Sequence, residues 1–157
     1  MQHKKYFLAG LVLLVLDQLS KKFVASNFSL GESVDVVSFL SWTYLQNSGA
    51  AFSFLANNGG LERYLLLSVS IVASIALIIW MLKTSSDYRQ RLLGQLSLLS
   101  GALGNLIDRA LYGSVIDFID LHYAAFYFPV FNLADSFIFI GVVLLLFEGR
   151  QETPKAK

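Results

Sequence analysis

Four segments of this chain of 157 residues are each long and apolar enough to cross a lipid bilayer. They cover residues 6–24, 64–82, 92–111 and 130–147. A spanning helix needs roughly 20 mostly apolar residues, within a range of about 17–25. Because the bilayer core offers no water to the backbone, runs of this length favour helices, whose hydrogen bonds are internal. The pattern predicts an α-helical integral membrane protein with four transmembrane helices in one domain, residues 1–157.

The composition agrees with a lipid solvent and excludes several function classes. Charged residues make up 15% of the chain, whereas soluble domains carry about 25%. The net charge of +1 argues against a nucleic-acid partner. There are no cysteines, which excludes disulfides, thiolate metal sites and a cysteine nucleophile.

The first apolar segment has an alternative interpretation. Lys4 and Lys5, the apolar run that follows and the small residues around Ala25 are also typical of a secretory signal peptide with its cleavage site. Asp17 and Lys21 fit poorly into the region that precedes such a site, so we favour an uncleaved helix.

Basic residues predict the orientation of the helices, because short cytoplasmic loops carry an excess of Lys and Arg. Cations precede the first segment, fill the connection between the second and third, and follow the fourth: Lys4, Lys5, Lys83, Arg89, Arg91, Arg150, Lys155 and Lys157. Both termini, including the tail of residues 148–157, are therefore expected in the cytoplasm. The loops of residues 25–63 and 112–129 are expected on the outer face.

The two outer loops are expected to form surface structure. Residues 34–45 are rich in β-branched and aromatic side chains, which predicts a small extracytoplasmic β-sheet. Residues 57–60 (NNGG) indicate a turn before the second helix. Residues 122–128 are densely aromatic, which is typical of the headgroup interface and predicts a short interfacial helix.

Small residues recur along the third segment at spacings of three and four. They are Gly94, Ser97, Gly101 and Gly104. Such a seam allows helix backbones to approach closely in lipid. We expect it to pack the third helix against its neighbours.

Polar side chains in the third and fourth segments are candidates for function, since an ionisable group at the centre of a spanning helix costs about 2.5–3.5 kcal/mol. Asn105, Asp108 and Arg109 stand at i, i+3 and i+4, so they share one helix face. Asn132 and Asp135 are three residues apart and also share a face.

A pair of neighbouring carboxylates would give these positions a chemistry. Asp117 follows Asp108 in the next outer loop. Two carboxylates held close in a low-dielectric site cannot both ionise easily, so one of them stays protonated. The pair then supplies one base and one acid for water-mediated peptide hydrolysis. The spacing offers two or three candidate aspartates and does not choose between them.

Each candidate also has a structural interpretation. Asp108 could form an ion pair with Arg109, which the sequence favours over a catalytic role. Asn105 and Asn132 could form hydrogen bonds between helices. Asp120 could be a solvated loop charge.

Two further arrangements have less support. His122 with Asp117 and Asp120 could hold a metal, but a single histidine in an aromatic belt rarely does. Ser20 and Lys21 are the residue types of a serine–lysine dyad, but adjacent residues on a helix point about 100° apart.

Four motifs follow one another along the chain. They are residues 17–21 (DQLSK), 47–52 (NSGAAF), 101–109 (GALGNLIDR) with 115–118 (VIDF), and 128–136 (FPVFNLADS). In this order they resemble the motifs of the bacterial lipoprotein signal peptidase family, and the resemblance covers nearly the whole chain. One departure is Ser100, where the family usually has glycine; serine is small enough to keep the helix packing.

The resemblance implies an aspartic endopeptidase that removes the signal peptide from diacylglyceryl-modified prolipoproteins, cutting before the lipidated cysteine. It assigns the catalytic pair to Asp117 and Asp135. The positions that match substrate-binding or supporting residues are Asp17, Asn47, Asn105, Asp108, Arg109 and Asn132. The resemblance implies that no metal or cofactor is needed. It also implies inhibition by globomycin-type depsipeptides. We further expect the protein to be a monomer that contacts the lipids of the bacterial cytoplasmic membrane. Its active site is expected toward the outer face of that membrane.

A small ion or proton transporter is the alternative, with Asp17, Asp108 and Asp135 as a relay. The carboxylates collect near one face, however, and do not form a chain across the bilayer. Intramembrane aspartyl proteases marked by Gly-x-Gly-Asp are a second alternative, and that string is absent from the sequence.

Overall fold

The computed structural model describes residues 3–49 and 61–148. Its helices and strands are α1 (Lys4–Asn27), β1 (Ser33–Val37), β2 (Leu40–Asn47), α2 (Leu61–Lys83), α3 (Arg89–Tyr112), β3 (Val115–Tyr123), β4 (Phe126–Tyr127) and α4 (Leu133–Leu146). The prediction of four helices and a small sheet is confirmed for these residues. The predicted turn at residues 57–60, the end of the second motif at 50–52 and the tail from 149 onward lie outside them.

The helices follow the predicted segments with different ends. α1 is longer than predicted at both ends, and α4 begins at Leu133 instead of residue 130. The late start of α4 has two causes. Phe131 is extended and forms a bridge with Ile119 of β3, and Asn132 caps the helix by accepting the backbone N–H of Asp135.

The strands form one antiparallel sheet in the order β1-β2-β3-β4. The prediction of a short interfacial helix at residues 122–128 is wrong, because these residues form a hairpin in which His122 pairs with Tyr127. Ala124 lies in the turn with a φ of 51°. Aromatic residues suit strands as well as interfaces, and pairing with β3 satisfies their backbone groups.

The distribution of polarity across the helices is inverted relative to a soluble protein. Asp17, Lys21, Asp108 and Asn132 are almost completely buried. Large apolar side chains are exposed along the outer faces of α1 and α2, including Leu8, Leu11, Val12, Leu19, Leu65, Val69, Val72 and Ile75. A continuous apolar exterior of this size marks a surface that contacts lipid or another protein.

Length and apolarity single out one stretch. Of the described helices, α2 alone holds a run, Arg63–Lys83, that could cross a membrane on these two criteria. α4 is apolar but has 14 residues, and α1 and α3 carry the buried charges and amides.

The small residues of α3 pack against α4 as predicted. A Cβ atom at Gly101 would collide with the backbone oxygen of Ala134, and one at Gly141 would lie 2.7 Å from the carbonyl oxygen of Gly94. The close approach brings the start of α4 against the polar end of α3.

Filling this seam should destabilise the protein. We expect Gly101→Leu to lower the free energy of unfolding by roughly 1–3 kcal/mol or more, because the backbone of α4 must move. Ala76→Leu, at an exposed position of α2, is the matched control. Equal melting temperatures of the two variants in detergent would contradict the packing described here.

Candidate active site

The candidate catalytic aspartates come from different elements and meet at one asparagine. Asp117 lies near the start of β3, and Asp135 lies in the first turn of α4. The Nδ2 of Asn132 donates to Oδ1 of Asp117 at 2.7 Å. Its Oδ1 accepts the backbone N–H of Asp135 at 2.9 Å. Asn132 therefore holds both candidates at once.

The start of α4 fixes this arrangement. Asp135 completes a capping box, in which its Oδ2 accepts the backbone N–H of Asn132 at 3.3 Å. Just before the cap, the N–H of Phe131 donates to the carbonyl of Ile119 at 3.1 Å, which attaches this segment to β3. Asp135 thus lies at the helix end where the macrodipole favours negative charge, in a fixed position relative to Asp117.

Each of the two aspartates accepts a further hydrogen bond from a side-chain amide. The Nδ2 of Asn47, at the end of β2, donates to Oδ2 of Asp117 at 3.0 Å. The Nδ2 of Asn105 on α3 donates to Oδ1 of Asp135 at 2.8 Å. Asn132 also donates to Asn105 at 3.3 Å, so the predicted hydrogen bond between helices exists within the same network.

Burial changes the acidity of Asp117, whose residue surface is 4% exposed. Loss of solvation raises its pKa to about 6, and the charge of Asp135 acts in the same direction. Hydrogen bonds from Asn47 and Asn132 and the charge of Lys21 oppose the rise in pKa. Asp117 can therefore hold a proton close to neutral pH.

A second group of charges, from α1 and α3, contacts Asn105 of this network. The Nζ of Lys21 lies 2.9 Å from Oδ2 of Asp17 and 3.0 Å from Oδ2 of Asp108. Asp17 accepts the backbone N–H of Ala134 at 2.8 Å, and Asp108 accepts that of Ile116 at 3.1 Å. The two acceptors thus hold the residues immediately before the two candidate catalytic aspartates.

The structure changes one predicted ion pair. Asp108 forms an ion pair, as expected, but its partner is Lys21 and not Arg109. Arg109 is partly buried and lies within electrostatic reach of Asp117, Asp135 and Asp108. The ion pair of Lys21 was not predicted, although the i, i+4 spacing of Asp17 and Lys21 could have indicated it.

The remaining candidates do not join the site. Asp120 is a half-buried strand residue that accepts a hydrogen bond from Thr43 at 2.8 Å, and is not the solvated loop charge expected. His122 stacks on Tyr127 with ring centroids 5.5 Å apart. Among the described residues, no group of three His, Asp or Glu side chains is placed to hold a metal. The hydroxyl of Ser20 donates to the carbonyl of Asp17.

An apolar cavity opens beside Asp135. Its volume is about 470 Å³, and its lining consists of Leu121, Phe128, Phe131, Asp135, Ser136, Phe139 and Ile140. The carboxylate of Asp135 therefore borders a space suited to apolar chains, whereas Asp117 is buried and is not among the residues that line this cavity.

Comparison with known proteins agrees with this geometry. Residues 9–149 match the family described as Signal peptidase (SPase) II. The chain belongs to this family. It is 43% identical over 156 residues to a lipoprotein signal peptidase of Shewanella baltica strain OS195, covering 97% of this chain and 91% of that protein. It is 46% identical over 144 residues to that of Shewanella sp. strain MR-4, covering 92% and 84%.

A solved structure shares the whole fold. It is a bacterial membrane enzyme determined by the in meso method, with a TM-score of 0.85 and 33% sequence identity over 95% of this chain and 94% of that chain. Membership of the signal peptidase II family makes the chain a peptidase, and the family and its structural relative imply a membrane location.

Loss of Asn132 should weaken the site and the fold together. Asn132→Ala removes the cap of α4, which costs about 0.5–2 kcal/mol, and removes the shortest hydrogen bond to Asp117. We expect a lower melting temperature in detergent. The control is Asn27→Ala, an exposed asparagine that donates to the carbonyl of Phe23. An equally small effect of both substitutions would contradict a structural role for Asn132.

Proposed function

We propose that this protein is an aspartic endopeptidase that removes the signal peptide from diacylglyceryl-modified prolipoproteins, cutting before the lipidated cysteine. The observation that carries the proposal is the pair Asp117 and Asp135, bridged by Asn132, in a chain of the signal peptidase II family. The names of its relatives support the substrate class.

The raised pKa of Asp117 suggests how the two carboxylates divide the work. In this proposal Asp117 is the general acid and Asp135 is the general base. Asp135 accepts a proton from water as the water oxygen attacks the scissile carbonyl carbon, and Asp117 donates its proton to the carbonyl oxygen. The tetrahedral intermediate then collapses and the C–N bond breaks. Asp135 gives its proton to the leaving amine, while Asp117 takes back a proton from one hydroxyl of the intermediate, which becomes the carboxylic acid product.

The apolar surroundings of the site suit a substrate that stays in the membrane. The cavity beside Asp135 is lined mainly by aromatic and aliphatic side chains, and the segment removed and the lipid are both apolar. Insertion of the substrate at a fixed depth would bring the scissile bond to the dyad, and such positioning lowers the barrier. Arg109 lies within electrostatic reach of Asp117, Asp135 and Asp108, and it offers a cation for a polar group of the substrate.

We place the sheet and the dyad on the outer side of the bacterial cytoplasmic membrane, with α1 to α4 as four spans. Lys5, Ser86, Asp87 and Arg89 line one cavity, so the start of α1 and the α2–α3 connection share an end of the bundle. That end carries the basic residues expected in the cytoplasm. The proposed enzyme uses no metal or cofactor, acts as a monomer and is blocked by globomycin-type depsipeptides.

Substitution of single aspartates tests the dyad. Asp117→Asn and Asp135→Asn each remove a group that transfers a proton, so we expect cleavage of a lipid-modified prolipoprotein in detergent to fall by about 10²–10⁴-fold. Asp120→Asn, on the same strand as Asp117, should retain most of the activity. Cleavage by both dyad variants at the wild-type rate would exclude this mechanism.

The pH dependence tests the assignment of the proton. Because Asp117 must be protonated and its pKa is about 6, kcat/KM should decrease as the pH rises through about 6. Asn47 donates to Asp117 and lowers its pKa, so Asn47→Ala should move this decrease to higher pH. Gln46→Ala, next to it and bonded to Tyr44, should leave the profile in place. A profile that increases through pH 6 would reverse the two roles.

A further inference from the structure

We infer that Lys21 is a positioning residue for the reaction, because its ammonium group fixes the amide orientation of Asn105 so that this amide donates to Asp135. The inference rests on the proposed function and adds to it a residue from α1, which contributes no group to the dyad.

The ammonium of Lys21 is fully used. Only 1% of the residue surface is exposed, and Nζ has three neighbouring acceptors, one on each of Asp17, Asp108 and Asn105, at 2.9, 3.0 and 3.0 Å. A lysine ammonium has three N–H donors and no acceptor. It can therefore contact the oxygen of the Asn105 amide, but it cannot accept a hydrogen bond from the nitrogen.

This restriction decides which way the amide points. With Oδ1 toward Lys21, the Nδ2 of Asn105 lies 2.8 Å from Oδ1 of Asp135. The reversed amide would place N–H groups against the ammonium and its oxygen against a carboxylate, so both contacts would be repulsive. The Nδ2 of Asn132 also donates to Oδ1 of Asn105 and favours the same orientation.

The surrounding residues hold the ammonium in place. Asp17 and Asp108 give the cluster two negative charges against one positive charge. The Nε2 of Gln18 lies within 3.1 Å of both carboxylates. Gly104 leaves room for Asp17, since a Cβ there would lie 2.5 Å from its Oδ2. Removal of Lys21 alone would leave two buried carboxylates without a cation, and that variant would confound folding with catalysis.

The test therefore uses a variant with balanced charge. Lys21→Met combined with Asp108→Asn keeps the net charge of the cluster at one negative, and the new amide can still accept the N–H of Ile116. We expect a melting temperature close to that of wild type, with kcat for prolipoprotein cleavage reduced by about 10- to 100-fold and KM almost unchanged. Lys22→Met, at the exposed neighbouring lysine, should retain wild-type cleavage.

A double-mutant cycle distinguishes action through Asn105 from a general structural effect. In an Asn105→Ala background, the combined Lys21→Met and Asp108→Asn substitutions should lower kcat no further, because the side-chain amide that Lys21 orients is already absent. Two results would overturn the inference. One is a charge-balanced variant with the kcat and the stability of wild type, and the other is an additive loss of kcat in the Asn105→Ala background.

If the charge-balanced variant does not fold, Lys21→Gln with Asp108→Asn replaces it, because glutamine is neutral and keeps an N–H donor. That variant should retain more activity than the Asn105→Ala single variant, and equal or lower activity would overturn the inference. Failure of the wild-type protein to cleave would instead refute the proposed function.

Discussion

A buried cluster of one lysine and two aspartates links the helices to the candidate active site. Lys21 contributes the cation from α1, Asp17 lies one turn earlier on the same helix, and Asp108 comes from α3. The two carboxylates also bind the backbone N–H groups of Ala134 and Ile116, the residues that precede Asp135 and Asp117. The positions of Asp117 and Asp135, the two candidate catalytic aspartates, thus depend on contacts with one cluster.

The cluster is costly in a membrane, which explains the form of the surrounding structure. Charges buried in an apolar environment stabilise a fold only when their hydrogen bonds are complete. Gln18 and Gly104 complete the cluster, the first with an amide and the second by leaving space. The glycines of α3 allow α4 to approach closely enough for its backbone to contribute. The close packing of α3 against α4 and the hydrogen bonds of the buried charges therefore depend on each other at this end of the bundle.

Sequence patterns predicted the helices and the polar site well, and failed where two environments favour the same residues. The aromatic run at residues 122–128 suits a membrane interface as a helix or as a strand, and its pairing with β3 decided for the strand. The partner of Asp108 was mistaken for a related reason. Arg109 is adjacent in sequence, but adjacent residues on a helix diverge, while Lys21 is brought from another helix by tertiary packing.

The sequence by itself determined the four helical segments, the membrane environment and the motifs that match the signal peptidase II family. These follow from the length of the apolar runs and from the kinds of polar residues within them, which are local properties of the chain. The tertiary structure alone decided that Asn132 joins Asp117 to Asp135, that Asp117 is buried with a pKa near 6, and that Lys21 faces Asn105. Those relations depend on distances between elements far apart in sequence, and distances are set only when the helices pack.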